Sequence, residues 1–297
     1  MRLLLAGHRG YVGSGLFSYL SSRHQVTGWS RREDLLALTP KALARRRVDA
    51  VINCAVETDR ESPGFAVDSP SDRVNVEGAR HLARVLKGSR VAWLQISTKD
   101  VFGPVFGPAD VVTRAGGYRP KRLVDDEQPF APATLYGKSK LIAEFFSESH
   151  PRSAVIRLST CYTDFDHPRG NWMVRMLRAA CAGRPVPVTR DGLQFRDPLH
   201  ADDLGRLIER VLARRFFGEK VNAGGGPENV ISLLEFVRLA APGAKLRRLP
   251  GGDWGFAFSN RKLRSRLGFT PRVSLRERIP ALAANVARGA LPPGFAR

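Results

Sequence analysis

Short apolar runs alternate along the first half of the chain with longer stretches in which apolar residues recur every three or four positions. The short runs, bounded by turn-forming residues, predict strands over residues 2–6, 25–29, 50–54, 90–97 and 154–158. The longer stretches predict helices over residues 11–23, 71–87 and 135–149. Strands and helices that alternate at this spacing need crossover connections, so the pattern predicts an α/β fold with a doubly wound parallel sheet.

Three glycines, Gly7, Gly10 and Gly13, lie three residues apart directly after the first predicted strand. In a strand-turn-helix unit, one glycine permits the tight turn and a second lets backbone N–H groups approach a pyrophosphate. The third allows the helix to pack closely on the strand. A purely structural turn is the alternative, but the position after the first strand of an alternating sheet favours a Rossmann-type dinucleotide-binding fold.

After residue 160 the alternation loosens, with predicted helices over residues 171–182, 201–214 and 274–288 separated by segments rich in Gly and Pro. We therefore expect two parts. Residues 1–160 form the NAD(P)-binding domain, joined by elements that return from the C-terminal half. Residues 161–297 form mainly a smaller C-terminal α/β lobe that binds the substrate.

The residues after the second predicted strand bear on the choice of dinucleotide. NAD-binding proteins of this fold place an Asp or Glu at that position to bind the adenosine ribose. This chain has Ser30, Arg31 and Arg32 there, and guanidinium groups suit a 2′-phosphate. NADP is the predicted cofactor and NAD the alternative, because the arginines could simply begin a solvated loop and the following Glu33 and Asp34 could serve a ribose.

Tyr136 and Lys140 lie four residues apart in a predicted helix, so both side chains project from one face. A tyrosine hydroxyl, with a pKa of about 10, is a weak acid or base at neutral pH, and an adjacent ammonium stabilises its ionised form. Thr98 ends the fourth predicted strand, where it can donate a hydrogen bond to the carbonyl oxygen that Tyr136 protonates. A nicotinamide would supply the hydride, which no side chain provides.

Several longer motifs share a resemblance to one superfamily. They are the glycine turn, VINCAVETD, VNVEGARHLARVL, ISTKDVFG, YGKSK, RDPLHADDLGRLIERVL and SNRKLRSRLGF. Together they resemble the extended short-chain dehydrogenase/reductase superfamily over nearly the whole chain. Within it the chain is similar to the NAD-dependent epimerase/dehydratase group and to the dTDP-4-dehydrorhamnose reductases.

The resemblance implies site residues. It implies a catalytic triad of Thr98, Tyr136 and Lys140, and a diphosphate contact from Arg196, for which an ion pair with Asp197 or Asp202 is the alternative. The implied cofactor-binding residues are Gly7, His8, Arg9, Gly10, Tyr11, Val12, Gly13, Ser30, Arg31, Arg32, Asn53, Ala55, Tyr136 and Lys140.

One departure from the family pattern concerns the reaction. The 4,6-dehydratases of the family carry Asp-Glu after the strand-end Thr, whereas this chain has Lys99 and Asp100, which we expect to contact substrate. The first interpretation is NADPH-dependent reduction of a 4-keto nucleotide sugar. The alternatives are a nucleotide-sugar epimerase or dehydratase with tightly bound NAD, and a regulatory subunit that binds a dinucleotide without turnover.

Composition narrows the function classes. The net charge of +20 comes mostly from arginines scattered along the chain, which favours solvated surfaces over a nucleic-acid site. Cys54, Cys161 and Cys181 have neither disulfide nor metal-ligand spacing, so we expect no metal and a cytoplasmic location. No run is long enough to span a membrane. The resembled family commonly forms dimers, so a homodimer is possible.

A long connection rich in Gly and Pro occupies residues 103–134, between the strand-end motif and the Tyr136 helix. Loops of more than about 12–15 residues are uncommon unless they are functional or disordered. We therefore expect a lid or a dimer contact here, with a disordered insertion as the alternative.

Overall fold

The computed structural model describes residues 1–30, 34–58 and 69–293, and its centre is a six-stranded parallel sheet. The sheet strands are β1 (Arg2–Ala6), β2 (Gln25–Trp29), β3 (Ala50–Asn53), β4 (Ala92–Thr98), β7 (Ser153–Leu158) and β12 (Glu219–Ala223). Their order across the sheet is β12-β7-β4-β3-β1-β2. The five predicted strands are confirmed to within two residues, and β12 was not predicted.

Both faces of this sheet are buried, which explains why its strands are almost continuously apolar. Along β1, Leu3 and Leu5 belong to one hydrophobic cluster, and Leu4 and Ala6 belong to another on the opposite face. Successive side chains of the strand therefore pack into two hydrophobic cores, one on each face of the sheet. The doubly wound α/β architecture predicted from the sequence is confirmed.

Nine α-helices lie in the described part of the chain. They are α1 (Tyr11–Ser21), α2 (Pro40–Arg46), α3 (Gly78–Leu86), α4 (Leu135–Glu148), α5 (Trp172–Cys181), α6 (Ala201–Ala213), α7 (Leu233–Ala240), α8 (Arg261–Leu267) and α9 (Leu275–Ala287). Within the helix predicted over residues 71–87, Asp72–Glu77 are π-helical and continue into α3. Helices α2, α7 and α8 were not predicted, since each has only seven or eight residues.

The remaining strands form small two-stranded sheets outside the central one. They are β5 (Val111–Arg114), β6 (Gly117–Pro120), β8 (Thr160–Tyr162), β9 (Val186–Thr189), β10 (Phe195–Arg196), β11 (Pro198–His200), β13 (Ile231–Ser232) and β14 (Leu246–Leu249). Most of them belong to the C-terminal half, whose own core includes residues of α5, α7 and α9. Among the described helices, none has the length and apolar character needed to cross a membrane.

The connection over residues 103–134 is ordered and packs on the C-terminal half. Its strands β5 and β6 form an antiparallel hairpin, and the Tyr118 N–H donates to the Leu193 carbonyl at 2.7 Å. Arg119 pairs with Glu235 of α7 at 2.5 Å. The Val124 side chain is fully buried in a cluster with Phe195 and Phe258. The alternative of a disordered insertion is wrong, because apolar residues of the segment are buried against the C-terminal half. The expected lid or dimer contact stays a prediction.

Candidate active site

The glycine turn has the close packing that its spacing predicts. Gly7 has a φ of +78°, which a residue with a side chain rarely adopts, and its N–H donates to the Trp29 carbonyl. A Cβ at Gly13 would lie 2.1 Å from the Gly7 carbonyl oxygen. Gly10 is the N-cap of α1 and supplies no side-chain cap. The N-terminus of α1 therefore presents N–H groups and the positive end of its dipole to an anion.

A cleft of about 620 Å³ lies beside this turn, at the carboxyl ends of the strands. Five of the sequence-predicted cofactor residues line it, namely Gly7, Arg9, Gly10, Ser30 and Ala55. Cationic groups on its walls, together with the α1 N-terminus, suit the diphosphate of a dinucleotide. The cleft therefore fits the cofactor that the glycine pattern predicts.

Other predicted cofactor residues do not line the cleft. His8 packs its ring on Gly28 and Phe17, and the Tyr11 hydroxyl lies 3.3 Å from the Thr163 N–H. Val12 lies within α1 and packs against the apolar core on one face of the sheet. The Asn53 side chain donates to Gln95 at 2.9 Å and accepts from the Ala55 N–H. Arg31 and Arg32 lie outside the described residues.

Most of the residues that line the cleft were not among the predicted cofactor residues. Residues 167–169, from the segment after β8, and residues 73–74, from the π-helical stretch, also line it. The His167 Nδ1 accepts from the Arg169 N–H at 3.0 Å, so its Nε2–H donates to the Arg9 carbonyl at 3.2 Å. This neutral imidazole, whose pKa burial lowers, fastens the later segment to the glycine turn. No local signal in the sequence marks residues 167–169. Val74, by contrast, begins the motif VNVEGARHLARVL, and Arg73 directly precedes it.

Helix α4 packs on the end of β4 through Gly137 and Lys140. The Lys140 Nζ donates to the Ile96 carbonyl at 2.6 Å, two residues before Thr98. Gly137 packs so closely on the turn after β4 that a Cβ there would lie 2.4 Å from the Asp100 carbonyl oxygen. The structure thus brings the first turn of α4 to the strand end that carries Thr98.

Thr98 is buried and caps a 3₁₀ turn over Lys99–Phe102, where its Oγ1 accepts from the Asp100 N–H at 3.2 Å. A hydroxyl that accepts one hydrogen bond keeps its own proton to donate. Thr98 is therefore suited to donate to a substrate oxygen at the end of the strand.

Asn75 is a further residue that sequence reasoning missed. Its side-chain amide donates to the Ser139 Oγ at 2.9 Å and to the Glu57 carbonyl at 2.8 Å, and its Oδ1 accepts from the Glu57 N–H. Asn75 thus joins the segment after β3 to α4, which it contacts at Ser139, the residue before Lys140. It lies in the VNVEGARHLARVL motif, which is the signal that could have identified it.

An ion pair with less than 2% exposure of either side chain lies below the site. Arg157 of β7 and Glu144 of α4 are 2.7 Å apart, and the Ser97 hydroxyl donates to the same carboxylate at 2.5 Å. Ser97 precedes Thr98, and Glu144 lies one helical turn after Lys140. The pair therefore fixes α4 to the two strands beneath it.

Lys99 and Asp100 pair with each other, with 2.9 Å between Nζ and Oδ1. Both side chains are less than a fifth exposed, and the Lys99 Nζ lies 5.0 Å from the Phe256 ring of the C-terminal half. The pair thus lies between the two lobes, next to Thr98.

Arg196 has a different partner from those expected. It pairs with Asp253 at 2.9 Å rather than with Asp197 or Asp202. Asp197 is buried and accepts from the Phe258 N–H, and this burial raises its pKa to about 7. Asp202 lies next to His200 and Arg278. The alternative of an ion pair with Asp197 or Asp202 is wrong, because the loop holding Asp253 reaches Arg196 from far along the chain. The diphosphate contact of Arg196 stays a prediction.

Burial lowers the pKa of Lys140 from 10.5 to about 8. Between these values the unfolded chain binds a proton that the folded chain has lost, so the free energy of unfolding rises with pH. We expect the free energy of unfolding to rise by about 3 kcal/mol between pH 8 and pH 10.5 because of Lys140. Urea unfolding of Lys140→Met should lack this rise. The exposed Lys87→Met should keep it, and an equal slope in both variants would contradict the assignment.

Comparisons with known proteins identify the family of the chain. The family model described as the RmlD substrate binding domain matches residues 1–224. The dTDP-glucose 4,6-dehydratase of Neisseria gonorrhoeae is 27% identical over 268 residues, covering 78% of this chain and 72% of that protein. A second dTDP-glucose 4,6-dehydratase, from Streptomyces niveus, is 28% identical over 77% of this chain and 67% of its own length.

Two solved structures share the fold over almost their full length. The UDP-glucuronic acid 4-epimerase of Bacillus cereus in complex with NAD matches with a TM-score of 0.78 and 21% identity, covering 97% of this chain and 99% of that one. RMD from Pseudomonas aeruginosa complexed with NADPH matches with a TM-score of 0.76, 22% identity and the same coverage. The chain therefore belongs to the RmlD substrate-binding-domain family, within the epimerase/dehydratase group of the extended short-chain dehydrogenase/reductases.

Proposed function

We propose that this enzyme moves a hydride at a ring carbon of a nucleotide sugar, and that its reaction is epimerisation at that carbon. The observation that carries the proposal is the contact of α4 with the end of β4, through Lys140 and Ile96 and through Gly137 and Asp100. The relatives named above include dehydratases and an epimerase that act on nucleotide sugars. They support this class more than the net reduction favoured by the sequence analysis.

Each residue of the triad has one task in the proposed reaction. A nicotinamide dinucleotide held in the cleft beside Gly7 and Gly10 would supply the hydride acceptor and donor, which no side chain provides. Tyr136 takes the proton of the sugar hydroxyl as the C–H bond breaks, and gives it back to the carbonyl oxygen when the hydride returns to the other face. Thr98 donates a hydrogen bond to that oxygen. The Lys140 ammonium, held by the Ile96 carbonyl, stabilises the ionised Tyr136.

The Lys99 and Asp100 pair favours epimerisation over dehydration. Elimination needs an acid for the leaving hydroxyl and a base for the neighbouring proton. In this chain the two side chains after Thr98 are 2.9 Å apart and neutralise each other. Neither is then a neutral carboxylic acid next to the sugar, whereas epimerisation needs only the triad.

The test is incubation with UDP-, dTDP- and GDP-linked hexoses in D₂O without added cofactor. We expect NMR to detect the 4-epimer with no solvent deuterium, because the same hydride leaves and returns. Denaturation should release an oxidised nicotinamide dinucleotide. Deuterium in a 4-keto-6-deoxy product would indicate dehydration instead, and conversion of no sugar by protein that carries the dinucleotide would overturn the proposal.

Reduction of a 4-keto nucleotide sugar with NADPH is the second candidate. The residue directly after β2 is Ser30 rather than an acid, and the cleft wall carries Arg9, Arg73 and Arg169. These features favour a phosphorylated cofactor, which a net reductase consumes. Oxidation of NADPH that depends on a 4-keto sugar, with no epimer formed in its absence, would favour this candidate.

A further inference from the structure

One end of the cleft carries two opposite charges from distant parts of the chain. Trp29, Ser30 and Asp34 line it at the tip of β2, and Arg73 and Val74 line it from the π-helical stretch. In a doubly wound sheet the adenosine ribose binds at the tip of the second strand. The charged pair of Asp34 and Arg73 therefore lies where the 2′ position of that ribose is read.

The Asp34 carboxylate is held in place by its own loop. The Trp29 indole N–H donates to the Asp34 carbonyl at 3.1 Å, and the Leu36 N–H donates to Oδ1 at 3.2 Å. Its φ of +41° is uncommon for a residue with a side chain. Oδ1 thus caps a short 3₁₀ helix, while Oδ2 faces Arg73.

Arg73 has a hydrogen-bonded backbone N–H, and its contact with Asp34 is exposed to solvent. Its N–H donates to the Ser69 carbonyl at 2.9 Å. Its guanidinium lies 3.4 Å from the Asp34 Oδ2, with 67% and 51% of the two side chains exposed. Exposed pairs of this kind contribute little to stability and exchange partners readily. A ligand can therefore separate the two side chains at little cost.

The two partners suit two different ligands. A carboxylate accepts hydrogen bonds from both hydroxyls of a free ribose, and it repels a phosphate dianion. A guanidinium binds phosphate through two parallel N–H groups, and it gains nothing from a hydroxyl that Asp34 already binds. Each ligand favours one member of the pair and releases the other.

We propose that Asp34 and Arg73 form a two-way reader of the cofactor, in which Arg73 binds the 2′-phosphate of NADP and Asp34 binds the free ribose of NAD. This rests on the proposed function only in that a nicotinamide dinucleotide occupies the cleft. It adds a residue, Arg73, that lies 39 positions after Asp34. The chain then binds both dinucleotides, and Asp34 and Arg73 set the ratio of its affinities for NADP and NAD.

The test measures the affinity of the full chain for NADPH and for NADH by nicotinamide fluorescence. A salt concentration of about 0.15 M screens the non-specific attraction between the basic protein and the anionic dinucleotides. We expect Arg73→Ala to weaken NADPH binding about tenfold, the loss of a charge-assisted contact, and to leave NADH within about twofold. Asp34→Asn should weaken NADH about fivefold and leave NADPH unchanged or tighter. The affinities of 2′,5′-ADP and 5′-AMP, which lack a nicotinamide and are measured by displacement of the fluorescent dinucleotide, should change in the same way as those of NADPH and NADH.

Arg84→Ala is the matched control, because it removes an equal charge from the exposed face of α3 outside the cleft. It should change neither affinity. Equal weakening of both dinucleotides by Arg73→Ala, or an unchanged affinity ratio in both variants, would overturn this inference alone. Failure of the unaltered chain to bind either dinucleotide would overturn the proposed function as well.

Discussion

Tyr136→Phe is expected to lower kcat by a factor on the order of 10³, because it removes the hydroxyl that exchanges the substrate proton. The phenyl ring remains, and the Tyr136 side chain is only 8% exposed, so the packing of α4 should hold. Steady-state kinetics with the nucleotide sugar that the D₂O incubations identify as substrate gives kcat. A nicotinamide fluorescence titration should give a cofactor affinity within about twofold of the unaltered enzyme, since one hydroxyl adds little to the binding of a dinucleotide.

Tyr19→Phe is the matched control for this substitution. Tyr19 lies near the C-terminal end of α1, and its hydroxyl donates to Glu209 at 3.1 Å. The same atom is removed there, far from the triad, so kcat should not change. If Tyr136→Phe also keeps its kcat, the proton donor has been assigned to the wrong residue.

Glu144→Gln is expected to lower the free energy of unfolding by about 3–5 kcal/mol, because it leaves the Arg157 charge buried without its counter-charge. Arg157 and Glu144 are 1% and 0% exposed, so water cannot replace the lost partner. Urea unfolding followed by circular dichroism measures the change. The effect should extend to function, since the same pair fixes α4 beneath Lys140.

Glu148→Gln provides the control on the same helix. Glu148 lies one turn further along α4 and pairs with Lys220 at 2.5 Å, but its side chain is 40% exposed. We expect a change of less than about 1 kcal/mol there. The double variant Glu144→Leu with Arg157→Met should recover part of the stability, because no charge is then left buried. A loss at Glu144 no larger than at Glu148 would show that the buried pair does not stabilise the fold.

The features that were predicted correctly from the sequence are those that local patterns of residues determine. Alternation of apolar and polar residues is a local property, and it identified β1 to β4 and α4 with their bounds nearly correct. Helical spacing placed Tyr136 and Lys140 on one face, and three glycines marked the turn at α1. The strand-end rule placed Thr98 next to them. These elements and spacings needed no knowledge of what packs against them.

Contacts between distant segments lay beyond those local signals. Residues 167–169 close the glycine turn through His167, and Arg73 meets Asp34, but neither segment carries a periodic pattern that names its partner. Strand β12 joins the sheet beside β7 from some sixty residues away. The depressed pKa of Lys140 also depends on burial, which the spacing of two side chains does not reveal. Periodicity fixes which face of an element is apolar, whereas the choice of partner depends on packing that the whole chain settles at once.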